Sequence, residues 1–251
     1  MSEPDRVAEI TENLSLVRRR VERACVAADR DPDSVCVIAV TKTRPAEDVR
    51  AAVRAGLVDV GENRAAELAE KAEYCAGHGL VAPEVRWHFI GQLQTNKARL
   101  VARWADVVHS VDRTRLARVL AERARENERE ITALVQVNLD PDAVVGTLGP
   151  RGGCHPQDVA AVADFVAERE GLRLGGIMAV APPPDAGVPV GESFARLREL
   201  GVRLRADHPA ATMVSAGMSA DLEAAVEHGA THLRIGTALL GDRPSGGVMS
   251  L

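Results

Sequence analysis

Aromatic side chains are scarce in this sequence: two Trp, one Tyr and three Phe make up 2% of 251 residues. That excludes an aromatic stacking surface for single-stranded nucleic acid. Positive charge is not in excess either. The formal net charge is −5, so the footprint that a phosphate backbone demands is missing. No apolar run approaches the roughly 20 residues that span a bilayer. The opening MSEPDRVAEITENL is acidic and polar, unlike a signal or transit peptide. A cytoplasmic protein with no membrane and no nucleic-acid partner is expected. The four cysteines, Cys25, Cys36, Cys75 and Cys154, show no CxxC spacing, and the seven histidines form no HExxH or HxH pair. Neither disulfides nor a dedicated zinc site is expected. Lysine is rare as well: Lys42, Lys71 and Lys97 stand beside 28 arginines. With arginine as the default cation, a lysine at a special position points to lysine's own chemistry.

What is present is a repeated beat: a short apolar run, a polar or glycine-bearing turn, then an amphipathic helix. Hydrophobic residues at 46% and charged residues at 27% give the balance of a chain with a real core. Val7, Ile10, Leu14, Val17, Val21 and Cys25 recur at helical spacing and predict a leading helix over 6–28. Strands are predicted at 35–40, 57–60, 85–90, 106–109, 131–137, 174–180, 212–215 and 231–235. The helices between them fall at 45–55, 64–74, 96–103, 113–127, 156–168, 192–205 and 219–228, with Pro45 at a first turn and Ser219 as an N-cap. Eight strands alternating with helices predict an α/β fold, a single (β/α)8 barrel of TIM type with an extra N-terminal helix, as one domain over 1–251. A doubly wound open sheet is the alternative. It normally carries a glycine-rich first βα turn, and Thr41-Lys42-Thr43-Arg44 is not one. Residues 140–156 hold four glycines in a loop long enough to act as a lid or to be disordered.

In such a barrel, function gathers where strands end, on the C-terminal face. Lys42 follows an apolar strand, where an ammonium is costly to bury. An amine partly withdrawn from water is more readily neutral, which Schiff-base chemistry requires. The bland alternative is a lysine that reaches the rim and pairs with Glu62. Ser215-Ala216-Gly217-Met218-Ser219 leads into a helix with Asp221 in its first residues, and Arg234-Ile235-Gly236-Thr237 gives a second glycine turn with a hydroxyl beside it. The loops after strands seven and eight are the usual phosphate cradle of this fold. His232, Arg234 and Gly236 share one strand face, with Leu233 and Ile235 on the other. Arg234 is either an outward arginine paired with a carboxylate or an inward one beneath a bound ring or anion.

A lysine able to form a Schiff base, a phosphate cradle and an arginine together suggest pyridoxal 5′-phosphate (PLP). The sequence resembles the pyridoxal phosphate homeostasis protein family, PLP-binding proteins related to the alanine racemase N-terminal barrel. The resemblance covers nearly the whole chain. It is carried by Ala39-Val40-Thr41-Lys42, Gly61-Glu62-Asn63, Trp87-His88-Phe89-Ile90-Gly91 continuing through Gln94-Thr95-Asn96-Lys97, Ser215 to Ser219 with Asp221, and Arg234 to Thr237. It implies that Lys42 holds PLP as a Schiff base and that Ser215, Gly217, Gly236 and Thr237 hold the phosphate. It further implies Arg234 at the pyridine nitrogen, Asn63 near the ring, and His88 and Asn96 in support. Two positions depart from the family's pattern: Arg64 stands where tyrosine is frequent, and Ala216 where methionine is frequent.

The related racemases take a second acid/base, a tyrosine, from a C-terminal domain of a partner subunit. Here the chain ends soon after 231–235, and the one tyrosine, Tyr74, falls late in the helix after the second strand. An arginine at the ring nitrogen also weakens the cofactor as an electron sink. The expectation is a monomeric PLP-binding protein without robust catalysis, acting in PLP homeostasis and delivering PLP to apo-enzymes. A dimer stays open. The alternatives are a PLP-dependent racemase or lyase, and a Schiff-base aldolase for a phosphorylated sugar.

Overall fold

The structure is a computed structural model that describes residues 2–149 and 151–241. Eight parallel strands close into a barrel in chain order: β1 (Cys36–Val40), β2 (Asp59–Glu62), β3 (Arg86–Phe89), β4 (Val107–Val111), β5 (Ile131–Val137), β6 (Leu172–Ala179), β7 (Met213–Ser215) and β8 (His232–Ile235). Helices α2 (Ala46–Arg54), α3 (Ala65–Gly77), α4 (Ala98–Trp104), α5 (Thr114–Glu126), α6 (Val159–Ala167), α7 (Val190–Asp207) and α8 (Leu222–Glu227) connect them, and a short α9 (Thr237–Leu240) follows β8. This is the expected (β/α)8 architecture, and β1 lies between β2 and β8.

The leading helix α1 (Glu3–Ala27) starts earlier than the periodicity predicts. Ser2 and Asp5 form a capping box, each side chain taking up the other's backbone amide. Its apolar stripe, Ile10, Leu14, Val17, Val21 and Cys25, is buried against the barrel helices. No helix of the described residues is long and apolar enough to cross a membrane.

Both faces of the sheet are covered, and the two sets of side chains are distinct. Leu233, Ile235, Val60 and Ala39 join the large cluster between strands and helices. Val107, Leu134 and Met178, with Val180 and Met213, form a separate small cluster inside the barrel. Strand β2 lies two residues later than expected from 57–60. The Leu57 amide still bonds back to the Ala52 carbonyl at the end of α2, so strand pairing starts only at Asp59. Gly61 lies within the strand at a tight spot, where a Cβ would sit 3.0 Å from the Ile38 side chain. The predicted helix over 219–228 shortens to α8, with Asp221 rather than Ser219 at its N-cap. Asp221 Oδ1 accepts from the Met218 amide at 2.5 Å and holds an extra turn ahead of the helix.

The 140–156 loop folds onto the barrel rather than standing off it. Cys154 makes a parallel bridge with Val137, Arg151 pairs with Asp140, and the Gly153 amide donates to Asp112 Oδ2 at 3.4 Å. Gly149 lies so close to Asn138 that a Cβ would come within 2.5 Å of its side-chain amide.

Candidate functional site

Strand parity places the candidate residues around one mouth of the barrel. Val40 faces the interior, beside the empty Cβ positions of Gly61 and Gly236. Thr41 extends the ladder by one bond, its amide donating to the Gly61 carbonyl at 3.0 Å. The Thr41 hydroxyl turns outward and donates to Glu62 Oε1 at 2.6 Å. Lys42 follows in the turn closed by the Arg44 amide on the Thr41 carbonyl, half-buried, at the end of β1, the strand between β2 and β8. Glu62 is not its partner. Parity points Glu62 to the helix layer, where Lys71 from α3 lies 2.6 Å from its Oε1 in a buried pair.

Asn63 follows β2 at the same mouth. Its backbone is pressed against the turn after β3: a Cβ on Gly91 would lie 2.0 Å from the Asn63 carbonyl oxygen, so only glycine fits there. Its Oδ1 is buried with no protein partner. A buried acceptor in that state is costly unless a ligand or water serves it.

The turn after β7 is bonded along β8 and, by one bond, to the turn after β8. The Ala216 amide donates to the His232 carbonyl at 3.1 Å, the Arg234 amide to the Gly217 carbonyl at 2.9 Å, and the Ala238 amide to Ser219 Oγ at 3.4 Å. Gly217 has φ +89, and a Cβ there would lie 2.6 Å from Ala225 and 2.8 Å from Leu233. Helix packing thus requires this glycine independently of any ligand. Gly236 differs: the nearest atom to a Cβ there would be the Val40 carbonyl oxygen at 3.5 Å, and its small side leaves the mouth open. Thr237 opens α9 and is exposed.

Arg234 points into the barrel. It is 5% exposed, donating from Nη1 to Ser215 Oγ at 2.7 Å and from Nη2 to the Ala179 carbonyl at 2.9 Å. Burial lowers its pKa to about 10, with Asp221 acting in the opposite direction. A guanidinium held this way still carries its charge at neutral pH and offers it to an anionic or aromatic group at the mouth.

Below Arg234 lies a polar chain that the sequence reading missed. Ser215 Oγ is 2.9 Å from His109 Nδ1, His109 Nε2 is 2.8 Å from His88 Nδ1, and His88 Nε2 is 2.7 Å from Asp59 Oδ1. His88 is thus linked to Ser215 through His109. Asn96 is outside this chain, exposed on the 3-10 turn Thr95–Lys97 ahead of α4. Arg64 is exposed and pairs with Glu67 at 3.3 Å. Asp142 is exposed on the 140–156 loop, and His155 accepts from the Gln157 amide at 3.1 Å.

A cavity of about 520 Å³ opens at the opposite mouth, between α1 and the starts of β1 and β2, bordered by Leu14, Val21, Cys36 and Asp59. It lacks the convergence of lysine, arginine, orphaned amide and glycine turns found at the C-terminal mouth, which is where chemistry gathers in this fold.

Residues 7–244 match the family described as alanine racemase, N-terminal domain. A pyridoxal phosphate homeostasis protein of Pseudomonas aeruginosa is 41% identical over 241 residues, 96% of this chain and 98% of the relative. The chain belongs to the pyridoxal phosphate homeostasis protein family. The solved structure of PipY from Synechococcus elongatus, with PLP bound, is 33% identical with a TM-score of 0.76, covering 92% of this chain and 100% of that one. The alanine racemase of Corynebacterium glutamicum shares the fold at 14% identity and TM-score 0.64, covering 93% of this chain and 60% of that one.

Proposed function

We propose that the protein binds pyridoxal 5′-phosphate at the C-terminal mouth of the barrel and acts in intracellular PLP homeostasis, in the cytoplasm, passing PLP to apo-enzymes. Arg234 carries the reading: a buried guanidinium turned inward, directly beneath two glycine turns, suits a ring with an anionic tail. Lys42 supplies the amine for a Schiff base, and it enters the mouth between Asn63 and Gly236. The phosphate lies at Ser215, Gly217, Gly236 and Thr237, the pyridine nitrogen faces Arg234, and the orphaned Asn63 Oδ1 gains a partner near the ring. PLP when bound supplies an electrophilic aldehyde and a conjugated ring; the protein supplies amine, anion cradle and a fixed cation. The similarity to a pyridoxal phosphate homeostasis protein and to PipY, solved with PLP bound, supports the same reading.

Borohydride reduction of the PLP-loaded protein, followed by peptide mapping, tests it. The pyridoxyl group is expected on Lys42. Lys71 is committed to a buried ion pair, and Lys97 is exposed on the 3-10 turn. A label on either of those overturns the assignment. Lys42→Ala should remain folded and lose the visible absorbance band while keeping weaker binding through the phosphate.

A further inference from the structure

The chain from Asp59 to Ser215 has fixed ends. Arg234 can only donate to Ser215 Oγ, at 2.7 Å, and an ionised Asp59 can only accept from His88, at 2.7 Å. Three links lie between Ser215, His109, His88 and Asp59, at 2.9, 2.8 and 2.7 Å. With both imidazoles neutral there are three hydrogens for these links: one hydroxyl and two ring N–H groups. All three are filled in one way only. Ser215 donates to His109 Nδ1, His109 Nε2–H donates to His88 Nδ1, and His88 Nε2–H donates to Asp59. The Ser215 hydroxyl hydrogen then points into the barrel and is not available to a ligand at the mouth.

One added proton changes the count to four hydrogens for three links. His88 becomes a donor at both nitrogens, His109 shifts to its Nδ1–H tautomer and donates to Ser215, and the Ser215 hydrogen is freed from the His109 link. His88 is the position for that proton, since Asp59 touches it directly. The other groups around it are His109 on β4 and His232 on β8, the latter with its ring centroid 6.4 Å away. Behind Asp59 stand Cys36 on β1 at 3.1 Å and Arg86 on β3 at 2.6 Å.

We propose that the Asp59–His88–His109–Ser215 chain is a proton-coupled positioning relay that sets whether the Ser215 hydroxyl donates inward to His109 or outward to a bound phosphate. The outward half rests on the reading that the cofactor's phosphate lies at Ser215. Binding of a phosphate ester then draws a proton into the relay, and by linkage a lower pH strengthens binding. His88 and His109 touch no ligand; they act through Ser215 and Arg234.

Histidine ring nitrogen NMR on the ligand-free protein tests the relay alone. His109 is expected as the Nε2–H tautomer at high pH, changing to Nδ1–H as His88 gains its proton. A His109 that carries Nδ1–H at every pH overturns the relay. Calorimetry with pyridoxine 5′-phosphate, which has no aldehyde, tests the coupling. In buffers of different ionisation enthalpy, the native protein should take up more protons on binding than His88→Gln, by up to about one per ligand, with affinity rising up to about tenfold per pH unit relative to the variant. His109→Phe should behave like His88→Gln, which keeps the test available if one of them fails to fold. Binding with equal proton uptake in native and variant proteins overturns the relay only. No binding to any of them, with PLP itself unbound, overturns the cofactor reading and the outward half with it.

Discussion

Lys71 Nζ lies 2.6 Å from Glu62 Oε1 and 2.7 Å from the Thr41 carbonyl oxygen, in a pocket where both side chains are buried. Glu67 completes the bracket, accepting from the Thr43 amide at 2.8 Å. The backbone is thus tied down on both sides of Lys42, and Thr43 is held at φ +63. Burial pushes the Glu62 carboxyl up, against Lys71 and Thr41, which favour its charged form. Removing one partner leaves the other charge stranded. We expect Lys71→Met to cost about 3–5 kcal/mol of stability, read from urea unfolding. Adding Glu62→Leu to Lys71→Met should restore most of the loss, because an apolar pair carries no desolvation penalty. A double variant no more stable than the single one would refute this account of the pair.

Gly217 and Gly236 separate folding from binding. At Gly217 the left-handed backbone and the contacts with Ala225 and Leu233 leave no space for a methyl group, so Gly217→Ala should lower stability by about 1–3 kcal/mol. Gly236 has a negative φ of −110, and a methyl group there would meet the Val40 carbonyl oxygen at 3.5 Å, an ordinary contact. Gly236→Ala should keep the native unfolding midpoint and weaken pyridoxine 5′-phosphate binding by about tenfold, or about 1.4 kcal/mol, with little change for pyridoxine. Equal losses for the phosphorylated and unphosphorylated ligands would argue against a phosphate at this turn.

Much of the barrel was legible because the beat of apolar strand and amphipathic helix is local. β5 has the bounds that its apolar run predicts, Ile131–Val137. The site was legible in part. Strand alternation put His232, Arg234 and Gly236 on one face, but in a sheet buried on both sides alternation alone does not say which face is the interior. That required the barrel to close and to place Leu233 and Ile235 in the outer cluster. His109 escaped because it reads as one more residue of a short strand, and its partners, His88 and Ser215, lie 21 and 106 residues away. The pairing of Lys42 with Glu62, an alternative the sequence left open, gives way for a similar reason: Lys71 reaches Glu62 from α3. Gly217 read as a phosphate glycine, while its packing against Ala225 and Leu233 was invisible without the fold.

Two interior histidines make stability sensitive to acid. Burial, and then His88, lower His232 to about 4 from its ordinary 6.5, with Asp59 offsetting part of the shift. Burial, with His88 and Arg234 adding to it, also holds His109 well below 6.5. In both cases the fold favours the neutral ring. Their contribution is therefore present above about 6.5 and is lost as pH falls, for His232 through about 4. The urea midpoint should decline over that window, and His232→Asn should flatten the decline. An identical pH profile in the variant would show that carboxylates alone set the acid limit.

Racemisation needs a proton donor on the substrate face opposite the lysine. The one tyrosine of the sequence, Tyr74, lies on α3 with its ring 4.2 Å from that of His78, in the helix layer. Asp142 is exposed, and His155 is engaged by the Gln157 amide. His88 and His109 have both ring nitrogens committed within the barrel, below Arg234. With Lys42 holding PLP as proposed, the lysine serves one face, and none of these side chains stands ready on the other. We expect the PLP-loaded protein to racemise or decarboxylate common amino acids far more slowly than the about 1–1000 per second of ordinary enzymes, measured by chiral chromatography and carbon dioxide release. It should instead restore activity to an apo-enzyme that lacks PLP. Turnover within that range that disappears in Lys42→Ala would make the protein an enzyme. PLP that stays bound and never reaches the acceptor would refute delivery and leave binding intact.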